Sequence, residues 1–86
     1  MPVPEETLSL LVGLLSNCDA PPWVAIVEGR DQSSGDSFIQ TSNGHGEDLY
    51  VTRDSGPANK AYLDLIASAI THLPELIQEV RDGRGA

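Results

Sequence analysis

Ala61-Tyr62-Leu63-Asp64-Leu65-Ile66-Ala67-Ser68-Ala69-Ile70-Thr71-His72-Leu73-Pro74-Glu75-Leu76-Ile77-Gln78-Glu79-Val80 is the stretch that decides the fold. Ala61, Tyr62, Leu65, Ile66, Ala69, Ile70, Leu73, Leu76, Ile77 and Val80 recur at helical spacing and make one apolar stripe. That is the pattern of a helix laid over one face of a sheet. Pro74 interrupts it. Proline has no N–H for the carbonyl of Ile70 and its ring crowds that group, so the segment is either one helix kinked at Pro74 or two helices. The stripe continues beyond the proline, and both halves are therefore expected to face the same core. Pro57 opens the segment and Asp82-Gly83 supplies a C-terminal stop, setting its limits at 57–82.

Upstream the period changes. Trp23-Val24-Ala25-Ile26-Val27-Glu28 follows the pair Pro21-Pro22 and reads as a first strand. The polar run Asp31-Gln32-Ser33-Ser34-Gly35-Asp36 reads as a hairpin loop, and residues 37–41, with Phe38 and Ile39, as a second strand. Ser42-Asn43-Gly44-His45-Gly46 predicts a tight turn, because Asn-Gly accepts positive φ. Residues 48–53 alternate, with Leu49 and Val51 on one face and Tyr50 and Thr52 on the other, predicting a third strand. The three runs make an antiparallel meander over 23–53.

The N-terminal segment, residues 4–17, predicts a helix. Pro4 suits a first turn, Glu5 and Glu6 meet the positive end of the helix dipole, and Leu8, Leu11, Val12 and Leu15 form a stripe that Leu10 and Leu14 widen. Gly13 weakens it by about 1 kcal/mol relative to alanine. Asn17, Asp19, Pro21 and Pro22 end it. The expected fold class is α+β in a single domain, 1–86: an N-terminal helix, a three-stranded antiparallel meander and a kinked C-terminal helix packed on one sheet face.

The run Ala61 to Ala69, then Leu73-Pro74-Glu75-Leu76-Ile77, then Glu79-Val80-Arg81, resembles the tail of small uncharacterised proteins from actinobacteria and their phages. In those a short meander led by a Trp precedes a helix, a Pro-centred step and a Leu-Leu-x-Glu-Val-Arg ending. Trp23 after Pro21-Pro22 fits the same plan. The likeness covers about the last two-thirds of the chain and departs at Ile70, where those proteins carry Arg. It implies fold and a bacterial or phage origin, and no reaction.

Composition bounds the function. The chain has 86 residues with 40% hydrophobic and 21% charged content, which is ordinary globular usage in one domain. Thirteen acids against five Lys and Arg give a net charge of −8. That field repels nucleic acid, which is bound through cationic side chains, and it disfavours an anionic membrane. The acids are scattered, as on a solvated surface, or they form an anionic face for a basic partner. Cys18 is the sole cysteine, so no internal disulfide forms and a reducing cytoplasm is expected. No stretch of apolar residues reaches membrane-spanning length, and the Pro2, Pro4, Glu5, Glu6 start does not read as a signal peptide.

Candidate chemistry is sparse. His45, in Gly44-His45-Gly46-Glu47-Asp48, lies on a glycine turn without ligand-pair spacing and reads as an exposed turn residue. His72, beside Pro74, reads as a capping or surface residue. Cys18 falls at a helix C-terminus, whose dipole opposes a thiolate. No nucleophile elbow or phosphate loop occurs. No enzyme activity, cofactor or metal is expected. The expected function is a non-enzymatic acidic protein-binding module, of the kind a phage or bacterium encodes to inhibit or modulate a larger protein in immunity or anti-defence. The alternatives are a self-assembling structural protein, a homodimer through the N-terminal helix, or a small-molecule binder. The expected contact surface is the acidic hairpin region with its aromatic anchors: Trp23, Asp31, Asp36, Glu47, Asp48, Tyr50 and Asp54. Trp23 is weighed there against packing on the C-terminal helix.

Overall fold

The computed structural model describes residues 2–85; Met1 and Ala86, the ends of the expected domain, lie outside the described residues. Helix α1 spans Glu5–Ser16, strands β1 and β2 span Val24–Ile26 and Phe38–Gln40, β3 and β4 span Thr52–Arg53 and Gly56–Pro57, and helix α2 spans Lys60–Gly85. The class is α+β, with two helices and small antiparallel sheets.

The expected three-stranded meander is not formed as such. β1 and β2 pair antiparallel, with Ala25 opposite Ile39. The third run meets β2 at a single bridge, where Ile39 and Leu49 exchange both backbone bonds at 2.8 and 2.9 Å. The chain then turns away into a separate ribbon, β3 against β4. The cause is the Asp54-Ser55-Gly56 turn, where Gly56 takes φ +133, a conformation glycine tolerates. It folds the chain back on itself and consumes the bonds that a longer third strand would have offered β2. The turn at 42–44 is likewise not a tight hairpin but a short 3-10 turn, with Ser42, Asn43 and Gly44 all at positive φ.

α2 is one helix with Pro74 inside it, which resolves the alternative left by the sequence. It begins at Lys60 rather than Pro57, which belongs to β4. Asn59 caps it, its Oδ1 accepting from the Ala61 N–H at 3.0 Å. It also runs past the expected stop at Asp82-Gly83. There Arg81 and Arg84 reach Glu5 of α1 at 2.8 and 3.4 Å, tying the last turns to the other helix.

The core gathers Ala25, Val27, Ile39, Ala58, Leu63 and Ala67, with Trp23, Val51 and Ile66 packed against it. Its position corrects the expected stripe. Leu63 and Ala67 are buried, whereas Tyr62, Leu65, Leu76 and Val80 are exposed. The apolar arc of α2 is wider than the small sheet covers, and burial falls on the edge of that arc centred on Leu63, Ala67, Ile70 and Ile77. β1 and β2 pack on the first half of α2. α1 lies antiparallel to the second half, Glu5 beside Arg81 at one end and Leu15 beside Ile70 and Leu73 at the other. Leu8 and Ile77 are the buried residues there, outside the main cluster.

Candidate binding surface

The sequence-expected site residues do not converge on one patch. Trp23 is half-buried and serves as a joint: its backbone N–H donates to Thr71 Oγ1 and its carbonyl accepts from the same hydroxyl, both at 2.9 Å. Its indole Nε1 donates to the Asp19 carbonyl at 3.0 Å. Thr71 therefore fastens the start of β1 to the middle of α2.

Asp31 is committed to the fold as well. One of its oxygens accepts from the Val27 N–H and from Arg30 Nε, each at 2.9 Å. The Arg30 guanidinium also forks onto both oxygens of Asp64 at 2.9 Å, so the arginine pins the loop after β1 to the first half of α2. The Val27 amide and then Arg30 hold the Asp31 carboxyl below its usual range, and Arg30 does the same for Asp64. The two acids in turn raise the Arg30 pKa, their hydrogen bonds being the main cause.

These groups border an open groove of ≈ 420 Å³ between β1 and α2, lined also by Trp23, Ser68, Thr71 and His72. Arg30, Asp31 and Asp64 are paired with one another there, and His72 Nδ1 lies 2.7 Å from Glu75 Oε1 on the same helix. A second recess, of ≈ 260 Å³, brings Trp23, Glu47 and Asp48 together with Cys18, Asp19 and Thr41. The buried Thr41 hydroxyl lies 2.9 Å from Asp19 Oδ2 and 2.8 Å from the Glu47 carbonyl, and it holds that loop closed. Gly46 must be glycine, because a Cβ would collide with Thr41 Oγ1 and stand 2.8 Å from Asp19 Oδ2.

The remaining expected residues are dispersed. Tyr50 is exposed and tilted against Phe38, ring centroids 5.5 Å apart. Asp36 lies in the loop before β2 and Asp54 at the β3–β4 turn, both exposed. His45 is exposed on its turn. Among the described residues no group of three or more His, Cys, Asp or Glu has metal-binding proximity, and no helix is long and apolar enough to cross a membrane.

The larger feature lies on the two helices. Leu10, Leu14, Leu65 and Leu76 are 60%, 54%, 67% and 53% exposed, with Val80 beside them at 36%. Leu65, Ala69, Leu76 and Val80 follow one line along α2 at intervals of four, seven and four residues. Leu14 of α1 and Leu73 of α2 border a common recess of ≈ 180 Å³ lined by Leu11, Leu14, Leu15, Cys18, Ile70 and Leu73. One turn farther along each helix stand Leu10 and Leu76, so both sets lie on one side of the helical pair. The opposite side carries Ser9 and Glu5 with Arg81. The signal was present in the sequence, since Leu10 and Leu14 widen the first stripe and ten apolar residues crowd the second. What could not be seen was how little sheet there is to cover them. No family model matches the chain, and neither curated proteins nor solved structures gave a significant match.

Proposed function

We propose that the chain is a non-catalytic protein-binding module whose main contact surface is the apolar side of the α1–α2 pair. The observation that carries this reading is the row of exposed leucines, Leu10, Leu14, Leu65 and Leu76, gathered on one side of two packed helices. Large apolar side chains exposed together on one side of a small protein mark interaction sites. A photo-crosslinking residue at position 76 or 10 tests the placement, against the same residue at position 36. Adducts to protein from 76 and 10, and none from 36, are expected; equal or absent labelling from 76 and 10 refutes it.

A second reading keeps the acidic hairpin surface for a basic partner. Tyr50, exposed and tilted against Phe38, supports it, with Glu47, Asp48 and Asp54 exposed on the same stretch of chain. Crosslinks from positions 50 and 54 that vanish at high salt are its expected signature.

A further inference from the structure

We infer that the apolar side of the α1–α2 pair receives a basic amphipathic helix of another protein, its apolar side chains on the exposed leucines and its Lys or Arg against Glu6 and Glu79. The inference rests on the reading that this side binds protein, and it names the occupant.

The apolar row sets the shape of the partner. Leu65, Ala69, Leu76 and Val80 extend over about 22 Å of α2, the length of roughly four turns of a second helix. Leu10 and Leu14 stand beside them on α1, 60% and 54% exposed. Between the two helices, Leu14 and Leu73 border the apolar recess of ≈ 180 Å³, which suits one large aliphatic or aromatic side chain of a partner. A helix laid along two packed helices presents side chains to such a row at intervals of three and four residues.

Charge selects the kind of helix. Glu6 stands one turn before Leu10 on α1, and Glu79 falls on the Leu65-to-Val80 line of α2; both are exposed. Because Glu5 pairs with Arg81 across the two helices, Glu6 and Glu79 lie at the same end of the row. Arg81 and Arg84, the arginines of that end, both turn to Glu5, and no cation among the described residues pairs with Glu6 or Glu79. His72, also on the line but nearer its middle, faces Glu75 of its own helix at 2.7 Å. One end of the row therefore carries two carboxylates with no cation to offset them, which repel an acidic partner and draw Lys or Arg. A second copy of the chain brings the same two acids and a net charge of −8, so it fits that end worse than a basic helix does.

The test is fluorescence anisotropy of three labelled helical peptides of about 18 residues, each titrated with the full chain at low and high salt. One carries a leucine stripe flanked by Lys and Arg, the second the same stripe flanked by Glu, and the third the basic composition in scrambled order. Saturable binding of the basic peptide alone, weaker at high salt, is expected. Glu6→Gln with Glu79→Gln weakens it roughly fivefold and Leu76→Asn roughly tenfold or more, while Asp36→Asn with Asp54→Asn changes it less than about twofold. Circular dichroism checks that the variants keep their helices, which the exposure of all five positions permits. A scrambled peptide bound as well as the basic one, or equal losses from the two acid pairs, overturns the inference, because net charge alone then accounts for binding. An acidic peptide bound equally, with the loss in Leu76→Asn retained, overturns the basic helix and leaves the docking face standing. Binding indifferent to Leu76→Asn fells both readings. No binding by any peptide overturns the basic helix, and the crosslinks from positions 76 and 10 then decide the docking face by themselves. Sedimentation of the chain alone at twice 9.2 kDa, lost in Leu76→Asn, overturns the basic helix in favour of a second copy.

Discussion

Ile39→Ala tests the reading that one residue joins the sheet, the third run and α2. Ile39 is fully buried, its backbone pairs with Ala25 on one side and Leu49 on the other, and its side chain sits in the cluster with Leu63 and Ala67. Truncation of a buried isoleucine costs about 2–5 kcal/mol, and the cost is highest where the surroundings cannot close on the cavity. Here the backbone bonds on both flanks hold the strand in place, so a loss of about 3–4 kcal/mol is expected. A domain of this length has a total stability of about 4–13 kcal/mol, so the single change removes a large part of it. The assay is urea unfolding followed by far-ultraviolet circular dichroism. With a urea slope of about 1 kcal/mol per molar, the midpoint falls by about 3 M. Leu49→Ala, at a side chain that stands at the surface, serves as the control and costs less than about 1 kcal/mol. An Ile39→Ala midpoint no lower than that of Leu49→Ala refutes the reasoning.

Gly13→Ala stabilises α1 by about 0.5–1 kcal/mol, because its Cβ meets nothing within 4 Å and alanine loses less backbone entropy on folding; a thermal melt shows a rise of a few degrees, and a fall contradicts the helix geometry. Gly46→Ala acts in the opposite direction, losing about 1–3 kcal/mol because the new Cβ displaces the buried Thr41 hydroxyl. Acid weakens the protein through Asp31 and Asp64, whose folded-state pKa values lie below the ordinary 3.8. Their stabilisation is complete above the unfolded value and is lost as pH falls through the lowered ones, so the urea midpoint drops below about pH 4. Asp64→Asn flattens that drop, and a wild-type midpoint that does not change between pH 5 and pH 2.5 contradicts the pin.

The parts of the fold legible in the sequence are those in which local chemistry and final contacts agree. α1 begins and ends within a residue of expectation, because Pro4, the following acids and the Asn17-to-Pro22 stop all act locally. The pairing of β1 with β2 was likewise readable from two β-rich runs around a polar loop. The third strand was not, because the Asp54-Ser55-Gly56 turn competes with β2 for the same backbone, and only the folded chain decides which partner wins. The expected site residues divide in a similar way. Asp31 looks like a surface feature when read alone, but it is held by Arg30, whose guanidinium also reaches Asp64 34 residues away, and Trp23 is fastened to Thr71 48 residues away. Exposed turn positions such as Asp36, Asp54 and His45 needed no distant partner and stand where the turn chemistry put them.

The α2 stripe shows why apolar periodicity and burial are separate statements. Periodicity reports that a face is unsuited to water; it does not say which body covers it. Tyr62, Leu65, Leu76 and Val80 satisfy the helical spacing as well as Ile66, Ile70 and Ile77 do, yet the sheet and α1 reach only the second set. Tyr62 finds cover of its own, with the Arg53 guanidinium 4.9 Å from its ring centre and donating to its hydroxyl at 3.0 Å. Leu65, Leu76 and Val80 have no such neighbour close enough to bury them, and the same holds for Leu10 and Leu14 on α1. An arc that exceeds what the sheet can cover is excess to folding the single chain. Substitution separates the two roles: polar replacements at Ile70 or Ile77 unfold the chain, whereas those at Leu65 or Leu76 leave the helices intact and remove only what binds to them.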